Sequence, residues 1–319
     1  MQFDIEEIRK RPGMYTGSTG AKGIYHLISR LAEEFICIDD KAMSIAFTVN
    51  SDTSLLLVCD RFLSEENNLD LFVIKALSDI FEVTYGNEQS DSTNILFHID
   101  KKLFTYEKLD YSRLYNRFKE LAQLNSHVKF FLEDNENKNC IQYKDGLNSL
   151  LYENIYDFPP LDCLPTKIHF IKDDIEVSVS MLLGHDKDVT FSYVNNSKTH
   201  GGGSHIQGLY DGVYSAFQKY IVKFKTENIK YTKKDIMNDL NFVLNIKMEQ
   251  PFYEGNTKRT LGDYKVRHII KNGVVENLDE LMKTDQRFFD SSNIMRMAAF
   301  MHVFKKSLKQ NNPNEDWDD

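Results

Sequence analysis

Three charged residues, Arg30, Glu33 and Glu34, lie in a segment whose apolar pattern predicts a helix. Carboxylates in such a position are candidates for taking a proton from water or for holding a hard cation such as magnesium. Arg30 and Glu34 are spaced i, i+4, so their side chains can pair on one side of the helix. The opposite face is predicted to be buried, because apolar residues recur at i, i+3, i+4 and i+7. These residues are Ile24, Leu27, Ile28, Leu31 and Phe35.

A second candidate site is the string HGGGSH, in which His200 and His205 suggest metal ligands and the glycines suggest a phosphate loop. The two histidines lack a nearby third ligand, and no Lys-Ser or Lys-Thr pair follows the glycines as in a P-loop. We therefore interpret the string as a tight connection from a strand to a helix, with Ser204 as the helix N-cap.

The most basic stretch of the chain interleaves lysines with aromatic residues between positions 219 and 234. Lys223, Lys230 and Lys233 are its candidates for contact with DNA phosphates. Lysine-rich helix ends and turns are also common as solvated faces, and a net charge of -9 disfavours binding of nucleic acid by the chain as a whole.

The elements that must position these residues alternate in type, which predicts an α+β fold with helices on one face of a mixed sheet. Two β-rich runs around Asn50-Ser51-Asp52 predict a hairpin, and LDLFVIKALSDIF predicts a helix after it. The pair Pro159-Pro160 follows a predicted joining helix and is the best domain boundary. We therefore predict one domain over residues 1–155, a second over 156–310, and an acidic tail over 311–319.

Composition restricts the class of protein further. With 319 residues, of which 41% are hydrophobic, the chain is long enough for two domains that each bury a core. It contains no apolar run long enough to span a membrane and no secretory signal at its start, so a cytoplasmic location is expected. Its four cysteines form no CxxC pair, which argues against a zinc ribbon or a disulfide framework.

Three strings occur in the order and context found in one family: IRKRPGMYTGST near the start, KTHGGGSHIQG in the middle and FYEGNTKRTLGD beyond it. Together they resemble the N-terminal half of DNA gyrase B and of its counterpart in topoisomerase IV. The resemblance covers roughly residues 5 to 285. It implies a GHKL-type ATPase domain, here shortened, followed by a transducer domain of the ribosomal S5 type.

The resemblance also assigns positions to a nucleotide site. It places Arg30 where the family has its general-base glutamate, and Glu34 where the family has a magnesium-binding asparagine. Arginine stays protonated and cannot take a proton from water, so the base is vacant. Three nucleotide-binding positions are implied at Asp60, Thr93 and Lys258, the last of which reaches the terminal phosphate in the family.

Other parts of the family pattern are missing. No Gly-x-Gly turn follows Asp60, and residues 62–69 stand where the family has a long segment ending in a glycine-rich lid over the phosphates. Glycine turns cradle phosphate because a Cβ would block the backbone amides, so this chain is expected to hold a triphosphate poorly. Only Met1 to Asp4 are available for the arm that crosses to the partner's nucleotide site, and no DNA-cleaving domain follows. A complete topoisomerase is therefore not expected.

Three hypotheses follow. The first is a catalytically inactive gyrase-B-like pseudoenzyme, with no cofactor, that acts by binding a protein, as partner, regulator or decoy of a type II DNA topoisomerase. This hypothesis also allows self-association and contact with DNA through the second domain. The second is a divergent ATP-hydrolysing component of a split topoisomerase, using ATP and magnesium with Glu33 or Glu34 as base. The third is a DNA-binding architectural protein that uses the lysine stretch.

Overall fold

The computed structural model describes all residues except 1–3, 51–53, 67, 87–90, 106–108, 156–164, 184–187, 224–231, 255–258 and 285–319. The chain divides into two compact units, Met1–Gly146 and Leu147–Asp319. The boundary predicted after residue 155 falls one helix later than this division. Pro159-Pro160 and the tail predicted over 311–319 lie outside the described residues.

The first unit contains helices on one side of a mixed sheet. The helices are α1 (Ile5–Lys10), α2 (Pro12–Thr16), α3 (Ala21–Ile36), α4 (Leu69–Ala76) and α5 (Tyr111–Leu124). The strands are β1 (Met43–Val49), β2 (Ser54–Cys59), β3 (Ser78–Tyr85), β4 (Thr93–Ile99), β5 (Val128–Glu133) and β6 (Lys138–Ile141). Their order in the sheet is β3-β4-β2-β1-β5-β6, in which β1 runs antiparallel to β2 and parallel to β5.

The core of the first unit lies between the helices and the near face of this sheet. Strand β4 alternates buried and half-buried residues along its length, as expected for a strand with one covered face. The five apolar residues predicted to line one face of α3 are all buried. Phe118 of α5 stacks between Phe47 and Phe130, with ring centroids 4.7 and 5.1 Å away. The predicted helix, hairpin and one-sided sheet of this unit are thus confirmed.

The helix predicted in LDLFVIKALSDIF is present and occupies the first eight residues of that string. Helix α4 ends at Ala76, and the chain turns directly into β3 at Ser78. Two contacts fix this end: Arg9 Nη1 donates to the Ala76 carbonyl oxygen at 2.8 Å, and Ser78 Oγ donates to the Ile74 carbonyl oxygen at 2.7 Å. Residues 78–85 pair with β4 instead, and tertiary pairing outweighs the helical pattern of the sequence there.

The second unit places helices on both faces of a second sheet. Its helices are α6 (Leu147–Ile155), α7 (Ser204–Lys223), α8 (Lys233–Asp239) and α9 (Tyr264–Thr284). Its strands are β7 (Thr166–Lys172), β8 (Ile175–Leu183), β9 (Thr190–Val194), β10 (Ser197–Lys198) and β11 (Leu240–Lys247). Their order is β10-β9-β11-β8-β7, with β11 parallel to β9 and antiparallel to β8.

Strand β11 is buried along almost its whole length because both faces of its sheet are covered. Apolar residues of α7 and α9 pack on one face, as Val213 and Val274 do in the core of this unit. Helix α6 lies on the other face, where Asn148 Oδ1 accepts from Ser180 Oγ at 2.7 Å. The α+β prediction is confirmed, and no described helix is long and apolar enough to cross a membrane.

Candidate functional site

Arg30 lies on the side of α3 that faces α4, where its guanidinium binds the carboxylate of Asp70. Arg30 Nε donates to Asp70 Oδ2 at 3.0 Å, and Nη2 lies 2.7 Å from Oδ1. Only 8% of the Asp70 side chain is exposed, so either partner would be poorly solvated without the other. The i, i+4 spacing allows Arg30 to pair with Glu34, but the guanidinium hydrogen-bonds to Asp70 of the next helix.

Glu34 belongs to the same polar cluster. Asn68, the N-cap of α4, donates from Nδ2 to Glu34 Oε2 at 3.0 Å and accepts from the Leu71 backbone N–H at 3.0 Å. Burial raises the pKa of Glu34, and the charge of Asp70 and a hydrogen bond with it add to this rise, while Asn68 and Arg30 oppose it. Glu34 thus links α3 to the N-terminus of α4 through Asn68.

Glu33 lies on a different side of α3 and is bound to α5. Its Oε1 accepts from Ser29 Oγ at 2.8 Å and from Arg117 Nη2 at 2.7 Å. Arg117 also donates to Ser29 Oγ at 2.8 Å and pairs with Glu120. Burial acts to lower the pKa of Arg117, but Glu120 and Glu33 raise it. Glu33 therefore holds α3 against α5 and does not share the cluster around Arg30.

Asp60 follows β2, and its carboxylate accepts a hydrogen bond from the backbone of the neighbouring strand. Both of its carboxylate oxygens lie 3.0 Å from the Ser44 backbone N–H, which extends the β1–β2 ladder by one residue. The neighbouring Arg61 donates to the Asp60 carboxylate at 3.2 Å and lies 3.5 Å from Asp39. Asp60 thus stabilises the start of the loop over residues 60–68.

Thr93, at the start of β4, is fully buried, and its hydroxyl forms hydrogen bonds with the backbone of the same loop. Its Oγ1 donates to the Arg61 carbonyl oxygen at 2.8 Å and accepts from the Leu63 backbone N–H at 3.0 Å. Beyond it, the rings of Phe62 and Tyr85 pack with centroids 5.0 Å apart. The hydroxyl that the resemblance assigns to a nucleotide therefore fastens the short loop to the sheet.

The remaining sequence-predicted residues are not gathered into this site by the described structure. Lys258 and Lys230 lie outside the described residues, as does the side chain of Lys223. Lys233 pairs with Asp211 of α7, which also accepts from Arg267 Nε at 2.7 Å. Burial acts to raise the pKa of Asp211, but the hydrogen bonds from Lys233 and Arg267 more than offset it and lower the pKa. Asp211 of α7 thus binds both Lys233 of α8 and Arg267 of α9.

The glycine string forms a tight connection, as predicted, between β10 and α7. Gly201 N–H donates to the Arg259 carbonyl oxygen at 2.9 Å, and Leu261 N–H donates to the Gly202 carbonyl oxygen at 3.1 Å. A Cβ on Gly203, whose φ is +134°, would lie 2.3 Å from the Leu261 carbonyl oxygen. Ser204 is the first residue of α7 rather than its N-cap, since its hydroxyl has no partner among the described residues.

The two histidines of that string do not converge on a metal. His200 is exposed, whereas His205 is fully buried and its Nε2 lies 2.9 Å from Thr199 Oγ1. We assign the donor role to Nε2, because Thr199 Oγ1 itself donates to the Ser192 carbonyl oxygen at 3.1 Å. Within the described part of the chain, no cluster of three or more His, Cys, Asp or Glu residues is arranged to hold a metal ion.

His205 is expected to make the second unit sensitive to acid. Burial lowers its pKa from 6.5 to about 4, so the unfolded chain binds a proton at a pH at which the folded chain does not. The stability that neutral His205 contributes is full above pH 6.5 and is lost as pH falls towards 4, by at most about 3 kcal/mol. Urea unfolding between pH 7.5 and 4.5 should lose this slope in His205→Gln but keep it in the exposed control His200→Gln. An unchanged slope in His205→Gln would contradict the assignment.

Glu34 is expected to have the opposite pH dependence. Its folded pKa is raised above 4.5, so its contribution to stability is present below that pH and is lost as pH rises through the raised value. Glu34→Gln should therefore raise the Tm at neutral pH by about 2–4 °C, an advantage that disappears near pH 4.5. The exposed control Glu66→Gln should leave the Tm unchanged. A lower Tm for Glu34→Gln at neutral pH would show instead that ionised Glu34 stabilises the fold.

Sequence reasoning missed the two residues that organise the cluster, Asp70 and Asn68. A signal was present, because Asp70 interrupts the otherwise apolar run LDLFVI, and a buried carboxylate requires a cation. Asn68 stands just before that helical run, where Asn commonly caps a helix. Nothing in the spacing connects either residue to Arg30, which lies 40 positions from Asp70.

Comparison with solved structures places this fold beside known ATPase domains. The chain superimposes on the 43K ATPase domain of Thermus thermophilus gyrase B, solved with an aminocoumarin, with a TM-score of 0.82 and 21% identity over 97% of both chains. It also matches the topoisomerase IV ATP-binding domain of Francisella tularensis, solved with a small-molecule inhibitor, with a TM-score of 0.74 and 21% identity. That match covers 95% of this chain and 98% of the other. At these identities the two structures establish the fold.

Relatives in sequence are DNA gyrase B proteins. The chain is 25% identical to that of Clostridium acetobutylicum over 88% of its own length and 54% of the relative's. It is 26% identical to that of Borreliella burgdorferi over 90% and 56% of the two lengths. It thus spans about half the length of the relatives it matches. The sequence profile of the DNA gyrase B family matches residues 124–312, more than half of the chain, and we conclude that the protein belongs to the DNA gyrase B family.

Proposed function

We propose that this chain is a member of the DNA gyrase B family that binds a protein partner and does not turn over ATP. The observation that carries the proposal is the position of Arg30. The resemblance puts this residue at the general base, and its guanidinium is bound through two nitrogens to Asp70. A guanidinium has no basic lone pair at accessible pH, so it cannot activate water. A general base typically contributes a factor of about 100 to 10,000 to the rate.

Neither neighbouring carboxylate is placed to substitute for a base at Arg30. Glu33 is engaged by Ser29 and Arg117 on another side of α3. Glu34 accepts from Asn68 Nδ2 at 3.0 Å, on the side of α3 that faces α4. Both carboxylates thus make structural contacts with neighbouring elements, and these contacts hold each side chain away from the role of a general base.

The loop over residues 60–68 supports the same proposal, because it lacks the features that bind the phosphates of ATP. It joins β2 directly to α4 and contains no glycine to bring backbone amides close to phosphate. Its backbone forms two hydrogen bonds with the Thr93 hydroxyl. The Phe62 ring packs against Tyr85 of β3, and Leu63 belongs to the hydrophobic core of the first unit. A loop fastened in this way stabilises the fold and offers little to a triphosphate.

The first test is calorimetric titration of the full chain with a non-hydrolysable ATP analogue and magnesium, beside an intact gyrase B N-terminal fragment. We expect no heat of binding from a sample that melts cooperatively and is therefore folded. Binding in the micromolar range, together with magnesium-dependent hydrolysis that is lost in Glu33→Gln or Glu34→Gln, would overturn the proposal. That result would establish the ATP-hydrolysing alternative instead.

The partner proposed is a component of a type II DNA topoisomerase, since both units of the relatives' N-terminal half are retained. The test is light scattering on a column with equimolar purified gyrase B, compared with each protein alone. A mixed species, or a change in the ATP hydrolysis rate of the gyrase B protein, supports the proposal. Two unaffected proteins at tens of micromolar would contradict it, because standard-size interfaces usually bind more tightly than that.

A further inference from the structure

The second unit carries a groove that none of the contacts described so far uses. It encloses about 760 Å³ and lies between the β7–β8 turn, the end of β11 and the first turns of α9. Its apolar residues are Ile175, Met248 and Ile269, contributed by the three different elements. A cleft of this size is within the range that accommodates a drug-sized ligand or a few side chains of a peptide.

The walls of the groove are held in place by specific backbone contacts. Asn195 fixes the end of β11, because its Nδ2 donates to the Met248 carbonyl oxygen at 2.7 Å and its Oδ1 accepts from the Met248 N–H at 2.9 Å. Asp263 caps α9 by accepting from the Lys265 N–H at 2.9 Å. Asp173 and Asp174 form the β7–β8 turn with φ of +50° and +60°. The groove is thus bounded by rigid elements, which reduces the entropy lost on binding.

The rim of the groove is acidic and aromatic. Four carboxylates surround the apolar floor, those of Asp173, Asp174, Glu249 and Asp263, while Lys265 is the lysine among the residues that line it. Tyr264 is 64% exposed, and its ring meets that of His268 edge-on with centroids 4.8 Å apart. An exposed tyrosine beside carboxylates can accept a cation over its face as well as an apolar side chain. The adjoining segment adds Phe252, which is 66% exposed.

We propose that this groove docks a basic peptide segment of a protein partner, with an apolar side chain on the floor and arginine or lysine side chains on the acidic rim. Charge complementarity selects this occupant, since the rim repels nucleic acid and acidic peptides. The inference rests on the proposed binding role and deepens it by naming the surface and the chemistry of the partner. It does not depend on the loss of ATP turnover.

The test uses a short fluorescein-labelled peptide of Gly-Leu-Arg repeats, titrated with the full chain and followed by fluorescence anisotropy. We expect saturable binding that weakens with salt, while the matched peptide of Gly-Leu-Glu repeats should not bind. Tyr264→Ala should weaken binding about fivefold or more, as expected for an aromatic anchor. Asp173→Asn with Asp174→Asn should weaken it about threefold to tenfold through lost rim charge.

The variants are chosen so that folding does not confuse the result. Asparagine adopts positive φ as readily as aspartate, so the double variant keeps the turn. A matched control, Asp79→Asn with Glu82→Gln on β3 of the first unit, removes the same charge elsewhere and should leave binding unchanged. Hydrogen exchange should show protection by the arginine peptide at the start of α9 and at the β7–β8 turn.

Several outcomes would overturn the inference. They are equal binding of the two peptides, unchanged binding by the Tyr264 and Asp173/Asp174 variants, and protection confined to the first unit. Competition by duplex DNA for the groove, or a Tyr264-dependent dimer of the chain in sedimentation, would each assign the surface to another occupant. ATP hydrolysis would refute the proposed lack of turnover without affecting these measurements, so the two failures are distinguishable.

Discussion

Replacing Arg30 by glutamate is expected to destabilise the first unit rather than to create an ATPase. The substitution removes the cation that compensates the buried Asp70 and adds a third carboxylate beside Asp70 and Glu34. Losing one partner of a buried ion pair costs about 3–5 kcal/mol. Arg30 is 35% exposed, so we expect a loss near the lower end, about 3 kcal/mol. That is a large fraction of the roughly 5–15 kcal/mol that stabilises a domain.

Urea unfolding followed by far-UV circular dichroism measures this loss, and hydrogen exchange of peptides from α3 assigns it to the first unit. The matched control is Lys22→Glu, which makes the same charge change at an exposed position in the first turn of α3. It should be neutral or slightly stabilising, because a negative charge is favourable at a helix N-terminus. Arg30→Met combined with Asp70→Asn removes both charges and should recover most of the stability.

An Arg30→Glu protein as stable as the parent would show that the Arg30–Asp70 pair has no structural role. If the variant also gained magnesium-dependent ATP hydrolysis, the site would need only its base to work. The first result would leave the proposed lack of turnover resting on the chemistry of arginine alone. The second would contradict the expectation that the short loop over residues 60–68 holds a triphosphate poorly.

Gly208→Val is expected to destabilise the second unit by about 3–5 kcal/mol, in the upper range for single substitutions. Helices α7 and α9 approach closely here: a Cβ on Gly208 would lie 2.6 Å from the Arg267 carbonyl oxygen and 3.1 Å from Arg267 Cα. Both atoms belong to the α9 backbone, so relief requires separation of the helices. One turn along α7, a Cβ on Gly212 would lie 2.8 Å from Val274 Cβ, so the close approach continues.

Thermal and urea unfolding, with hydrogen exchange of peptides from α7 and α9, measure this effect. The control is Gln207→Val, which introduces the same side chain one residue earlier at an exposed position. It should cost only the difference in helix propensity, about 0.5 kcal/mol. Similar losses for the two variants would show that the helices tolerate a wider spacing than the structure has.

Local sequence pattern was sufficient to predict the elements whose conformation depends on their own residues. The apolar spacing of α3 predicted its buried face, and every predicted residue of that stripe is buried. The Asn50-Ser51-Asp52 turn signal predicted the β1–β2 hairpin. The glycines of HGGGSH predicted a tight connection, because only glycine permits the φ of Gly203 and its approach to Leu261.

Pattern alone failed where a distant partner decides the outcome. Helix α4 ends at Ala76 because Arg9 binds its last turn and residues 78–85 pair with β4. The pattern around Lys233 did not indicate its ion pair with Asp211, 22 residues earlier in the chain. Ser204 suggested a helix cap, but the helix begins with it and Leu261 accepts its backbone N–H.

The sequence by itself determined that Arg30 stands where the resemblance implies a general base, that the segment after β2 is short and contains no glycine, and that the fold is α+β. These are properties of residue identity and local spacing. Only the tertiary structure decided which groups satisfy those residues: Asp70 for Arg30, Arg117 for Glu33, Asn68 for Glu34 and the loop backbone for Thr93. The physical reason is that a buried charge or hydroxyl must find a partner, and any residue the fold brings within reach can serve.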